Sequence, residues 1–194
     1  MAGFLDFCMG AYIAQTVLHI NNIPWSWWPI LVGGFFALLP DVDIAFQILR
    51  GRVEGNHRAS LMHMPLLVVP AAVAVAWMFG GSMWALIALL CLLWHYLHDT
   101  VEGVKWCWPL SQNFFCFRGR VLFGGGNHQS LVQKVWLVPN DRTLIEWSLG
   151  CVVIFGVFPD PPPPLVNNLM LLLIFVPFII WGSYWLYNKK ATPQ

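Results

Sequence analysis

Six apolar segments restrict this chain to the folds that a lipid bilayer allows. They cover about residues 3–20, 25–40, 61–79, 82–99, 144–158 and 165–187. Backbone amides and carbonyls find no water in hydrocarbon, so apolar runs of this length fold as helices there. Only 10% of the residues are charged, whereas a soluble domain carries roughly 25%. The sequence therefore predicts an all-α, polytopic membrane helix bundle with about six transmembrane or partly spanning helices.

The basic residues predict how this bundle is oriented in an inner membrane. All ten Lys and Arg residues fall in three segments, which are 41–60, 100–143 and 188–194. The intervening connections contain none, at 21–24, 80–81 and 159–164. Basic connections are retained on the cytoplasmic side, and six spans bring these three segments to the same side. Both termini are then cytoplasmic, and the lack of a basic tract argues against a nucleic-acid partner.

The connections also divide the chain into three regions. Residues 1–111 are expected to form a membrane helix bundle that carries a metal site. Residues 112–143 are expected to form a cytoplasmic loop region, and 144–194 a C-terminal pair of membrane helices. The run from Asp160 to Pro164 would join those two helices as a stiff, extended connector.

The end of the fourth segment carries ligand-type side chains on one helix face. His95 and Asp99 are four residues apart, so an imidazole and a carboxylate can hold one divalent metal between them. Ionisable side chains at the rim of a membrane helix are costly, and they indicate function. The alternative is that His95 and His98 only complement the dipole at the C-terminal end of the helix.

Other segment ends on the predicted cytoplasmic side carry similar groups, and we expect them to meet at one membrane face. Crowded carboxylates repel one another unless a cation lies between them, and zinc or manganese accepts this mixture of nitrogen and oxygen ligands. His19 lies at the opposite end of the first segment, so it is not expected to join. The expected metal ligands are Asp6, Asp41, His57, His63, His95 and Asp99.

Three further residues are candidates for catalytic roles beside the metal. Asp43 and His98 would orient a ligand or act as a general base. Arg58 follows His57 directly, and its planar guanidinium would bind an anionic group such as a phosphate. The alternative for Arg58 is contact with a lipid headgroup.

These motifs resemble the family of bacterial and archaeal membrane-bound metal-dependent hydrolases, which is distantly similar to zinc-dependent phospholipase C. The resemblance covers about residues 1–111. It rests on the order and spacing of Leu39-Pro40-Asp41-Val42-Asp43, His57-Arg58 with His63, His95 to Asp99, and Gly103 with Trp108-Pro109-Leu110-Ser111. It implies a multi-span metal hydrolase.

The chain departs from the pattern of that family at three places. Asp6 stands where the family has a histidine, with Gly10 four residues later. His57 and His63 are six residues apart rather than five, and Met64 replaces the usual serine. Residues 112–194 match no motif of the family.

Three functions are compatible with these patterns. The first is a membrane-bound metal-dependent hydrolase at the cytoplasmic face, where metal-activated water would attack a phosphoester or lipid-like substrate among the membrane lipids. The second is a non-catalytic subunit with a structural metal site, in which the many aromatic residues face a membrane-protein partner. The third is a metal or proton transporter, which is disfavoured because no acidic chain crosses the membrane midplane.

The orientation can be tested by labelling single cysteines from outside the cell. A cysteine placed at position 81 or 162 should react with a membrane-impermeant reagent, because these connections face outward. A cysteine at position 54 or 120 should remain unlabelled until the membrane is permeabilised. Outside labelling at position 54 would contradict both the topology and a cytoplasmic site.

Overall fold

The computed structural model describes residues 2–50, 60–100, 103–113, 141–158 and 179, and the elements it forms there are helical. Two runs are long and apolar enough to cross a membrane, Trp27–Ile44 and Pro65–Asp99. The expectation of a helical membrane protein is thereby supported, whereas the count of six spans stays a prediction. The helices are α1 Ala2–Ile20, α2 Trp27–Leu38, α3 Val42–Leu49, α4 Pro65–Asp99 and α5 Asp141–Phe155, with short 3-10 turns at Leu39–Asp41 and Leu61–His63.

Helix α4 is a hairpin of two arms, 65–80 and 82–99. Gly81 separates the arms with φ 78° and ψ −171°, a conformation that glycine adopts easily because it lacks a Cβ. A straight helix of 35 residues would be about 50 Å long. His63, just before the helix, nevertheless lies 3.2 Å from the carboxylate of Asp99 at its end. The arms are therefore antiparallel, as the separate apolar segments 61–79 and 82–99 predict.

Helices α1 and α2 cross at a pair of glycines. A Cβ on Gly10 would lie 2.7 Å from the Cβ of Ala37 and nearer still to the carbonyl of Gly33. Small residues allow helices in lipid to approach closely, and the van der Waals contact so gained holds them together. The space beside Gly3 is filled by the side chain of Leu38, so the beginning of α1 lies beside the end of α2.

Helix α5 packs against α1 along an apolar face. The rings of Phe4 and Trp147 stack with centroids 4.0 Å apart, and Trp25 donates a hydrogen bond of 2.8 Å to the carbonyl of Val157. The buried core between these helices and α2 comprises Cys8, Ala11, Ile30, Ile154 and Val157. The sequence predicts that the C-terminal region begins at residue 144, whereas α5 begins at Asp141. This helix packs against α1, which belongs to the predicted first region.

The glycine crossing gives a direct test of this packing. Gly10→Ala should lower the stability of the purified protein by roughly 1–3 kcal/mol, because the added methyl group overpacks a rigid backbone contact. Gly3→Ala is the matched control on the same helix, since its Cβ would meet only the flexible end of Leu38, at 3.1 Å. Thermal unfolding in detergent measures both variants. Equal midpoints for Gly10→Ala and wild type would contradict the crossing.

Candidate metal centre

Five segments of the chain bring polar side chains to the same end of the bundle. Asp6 lies in the first turns of α1, and Asp41 and Asp43 follow the end of α2. His63 directly precedes α4, His95 to Asp99 close its second arm, and Glu146 lies near the beginning of α5. Because α1 and α2 are antiparallel and α4 folds back on itself, residues far apart in sequence meet here.

Two histidines and two aspartates form the centre of this site. The Nε2 atom of His63 lies 3.4 Å from Oδ1 of Asp41 and 3.2 Å from Oδ2 of Asp99. The Nε2 atom of His95 lies 3.8 Å from the same Asp41 oxygen and 3.5 Å from the same Asp99 oxygen. One ligand atom from each residue lies within 4.8 Å of the other three. The two imidazoles and two carboxylates therefore surround a common point.

These separations fit a bound divalent cation. Ligands at about 2.1 Å from a tetrahedral ion are about 3.4 Å from one another, close to the four nitrogen–oxygen distances. Three of the four distances exceed the roughly 2.7–3.2 Å of a typical hydrogen bond, and the fourth, between His63 and Asp99, is at its upper limit. Both ring nitrogens of His95 are buried, and neither makes a hydrogen bond to a described residue. Such a nitrogen is costly to bury alone, and coordination by a metal would satisfy it.

Each imidazole has a third carboxylate behind it, on the side of Nδ1. Oδ2 of Asp43 lies 3.6 Å from Nδ1 of His63, and Oδ2 of Asp6 lies 3.7 Å from Nδ1 of His95. A negative charge at this position favours the tautomer that carries its proton on Nδ1. The Nε2 lone pair is then directed at Asp41 and Asp99. Carboxylates that orient metal-binding histidines in this way are common in metalloproteins.

Carboxylates outnumber imidazoles among the described residues of this site. It holds the carboxylates of Asp6, Asp41, Asp43, Asp99 and Glu146 and the imidazoles of His63, His95 and His98. Burial alone lowers the pKa of His63, which precedes the long apolar helix, but the carboxylates of Asp41, Asp43 and Asp99 outweigh burial and raise it to about 10. The environment of this ring thus stabilises a positive charge, which a divalent cation can supply.

Asp41 is the most exposed of the four central residues. The side chain of Asp41 is 20% exposed, whereas that of Asp99 is 9% exposed and those of His63 and His95 are 0% and 1%.

The structure brings together some of the residues that the sequence singled out. Asp41, His63, His95 and Asp99 form the central group, while Asp43 and Asp6 lie behind its histidines. His57 and Arg58, expected as a ligand and an anion-binding residue, lie outside the described residues. His19 is exposed at the far end of α1, as expected. His95 is 1% exposed, which a role limited to the helix dipole does not explain.

His98 and Glu146 extend the site towards α5. Nδ1 of His98 lies 2.9 Å from Oδ1 of Asp6, so in this arrangement His98 contacts Asp6 and not the central group. Its Nε2 lies 3.8 Å from Oε1 of Glu146. The sequence analysis missed Glu146, although a lone acidic residue within an apolar segment was a signal that could have singled it out.

Substitution of the central residues should remove the metal. His95→Ala or Asp99→Ala should abolish stoichiometric metal, because both ligands come from one helix arm that fixes their relative position. His19→Ala is the matched control, a histidine of the same bundle at its opposite end. Metal content of the purified variants, measured beside wild type, checks this. Full occupancy in both His95→Ala and Asp99→Ala would contradict the metal centre.

Comparison with known proteins identifies the family of this chain. The family model described as YdjM inner membrane protein matches residues 1–159, which include the four central residues, Asp6 and Glu146. No curated protein and no solved structure matches the chain significantly. The family description and the apolar helices agree on a membrane location. The chain belongs to the YdjM inner membrane protein family.

Proposed function

We propose that this protein is a membrane-bound metal-dependent hydrolase whose substrate is a phosphoester or a related lipid-like molecule. The observation that carries the proposal is the central group of two histidines and two aspartates, with nitrogen–oxygen distances of 3.2–3.8 Å. Such a group is costly at the end of an apolar bundle unless it has a function. The motif resemblance to membrane-bound metal-dependent hydrolases supports the same conclusion.

The chain would hold the ion with Asp41, His63, His95 and Asp99. Asp43 and Asp6 would keep the two imidazoles in the tautomer that leaves Nε2 free. Zinc suits this donor set, and manganese is compatible with it. When bound, the ion would supply Lewis acidity, which activates water and polarises an ester oxygen.

The substrate would approach from the exposed side of Asp41. A phosphoester is favoured as the substrate because it combines an anionic group with a bond that metal sites hydrolyse. Arg58, which lies outside the described residues, would bind that anionic group through its guanidinium. A site at the end of the bundle can reach the headgroup of a membrane lipid. On the predicted topology, this is the cytoplasmic leaflet.

The second candidate is a structural metal site in a non-catalytic membrane subunit. A set of four protein ligands is typical of closed structural zinc sites, whereas catalytic zinc usually keeps one position for water. Three of the four central residues are also almost fully buried. Catalysis would require Asp41, the most exposed of the four, to leave space for water or substrate.

Hydrolysis and stability, measured together, distinguish the two candidates. The purified protein should cleave phospholipid vesicles or a small phosphodiester, lose this activity with a chelator, and regain it when zinc or manganese is returned. His95→Ala should be inactive, and His19→Ala should retain the wild-type rate. A structural site instead predicts that the chelator lowers the unfolding temperature while no phosphoester is cleaved with metal present. That result would refute the hydrolase.

A further inference from the structure

Glu146 is a buried carboxylate on a helix that otherwise packs through apolar side chains. It is 5% exposed, on a helix whose neighbouring turns contain Trp147, Cys151 and Ile154. A buried carboxylate is costly unless its charge is balanced by nearby donors. Its carboxylate faces Nε2 of His98, at 3.8 Å.

The contacts of His98 continue from Glu146 to the central group. On its other side, Nδ1 of His98 donates to Oδ1 of Asp6 at 2.9 Å. The same oxygen accepts a hydrogen bond of 3.0 Å from Nε1 of Trp94, whose ring stacks with that of His98. The second oxygen of Asp6 lies 3.7 Å from Nδ1 of His95. A continuous series of polar contacts thus joins α5, the second arm of α4 and α1.

We propose that Glu146, His98 and Asp6 form a positioning chain that sets the orientation of His95, so that metal affinity depends on helix α5. This inference rests on the metal centre of the proposed function. Glu146 and Trp94 hold the ring of His98, and His98 holds the carboxylate of Asp6. Asp6 in turn keeps the proton of His95 on Nδ1 and its Nε2 lone pair towards Asp41 and Asp99. Glu146 and His98 are positioning residues, since neither contacts the central point.

The apolar contacts of α5 make this proposal testable. Phe4 stacks on Trp147, and Ile154 and Val157 belong to a buried core with Cys8. These contacts hold α5 against α1 without Glu146, so a substitution at Glu146 should leave the helix in place. The competing explanation is that Glu146 and His98 only add an ion pair between helices. In that case the loss of Glu146 would change stability but not metal affinity.

The experiment measures the zinc dissociation constant of the full-length protein in detergent by competition with a chelator of known affinity. Removing a residue that orients a metal ligand weakens binding by about 10–100-fold. Glu146→Ala acts on His95 through His98 and Asp6, so it should weaken binding by about 10-fold, the lower end of this range, and still bind a stoichiometric amount of zinc at saturation. Glu146→Gln keeps the shape of the side chain and removes its charge. It replaces Glu146→Ala in the experiment if the alanine variant does not fold. It should weaken binding by about 10-fold, the lower end of the range.

Two further variants distinguish a loss of His95 orientation from a general loss of bundle stability. Ile154→Ala removes a buried side chain from the same helix, and it should lower the unfolding temperature while leaving the zinc dissociation constant unchanged. Asp6→Asn should weaken zinc binding, and adding Glu146→Ala to it should cause little further loss. Residues that act through one another are not additive in a double-mutant cycle.

The outcomes are distinct from those that test hydrolysis. Wild-type zinc affinity in Glu146→Ala, or in Glu146→Gln where the alanine variant does not fold, would overturn the positioning chain. Fully additive effects of Glu146→Ala and Asp6→Asn would also overturn it. Zinc binding that depends on Glu146, without phosphoester cleavage, would support the chain and refute only the hydrolase. Absence of zinc binding in wild type would overturn both proposals.

Discussion

The contact of two imidazoles with two carboxylates is the constraint on which the end of this bundle depends. His63 and His95 each face both Asp41 and Asp99, and these four residues come from three separate parts of the chain. Charged and polar groups are costly to bury next to lipid unless they are paired or coordinate a metal. The helix ends that carry them can therefore remain together only when all of these groups have partners.

The apolar part of the bundle brings those groups within reach of one another. The glycine crossing of α1 and α2 places the beginning of one helix beside the end of the other. The hairpin at Gly81 returns the second arm of α4 to the level of His63. Packing of α5 on α1 then brings Glu146 next to His98. Because residues in lipid gain little from hydrophobic burial, these close van der Waals contacts and polar pairs provide the specificity.

The polar site has two layers at different distances from the central point. The inner layer is the central group, whose nitrogen and oxygen atoms have separations suited to a metal ion. The outer layer consists of Asp43 behind His63 and Asp6 behind His95. Asp6 stands where the family that the motifs resemble has a histidine. In this structure it lies behind His95 and not at the central point. It is close enough to orient His95, and it also accepts hydrogen bonds from Trp94 and His98.

The sequence by itself indicated a helical membrane protein, and it grouped Asp6, Asp41, His57, His63, His95 and Asp99 as expected metal ligands. Long apolar runs have few folds available in a bilayer, and the i, i+4 spacing of His95 and Asp99 places both on one helix face. Only the tertiary structure decided which polar residues surround the central point and which stand behind it. That difference depends on where each helix crosses its neighbours and on ring orientation, which local spacing does not encode. Glu146 joins the site for the same reason, because it meets His98 only after α5 has packed against α1.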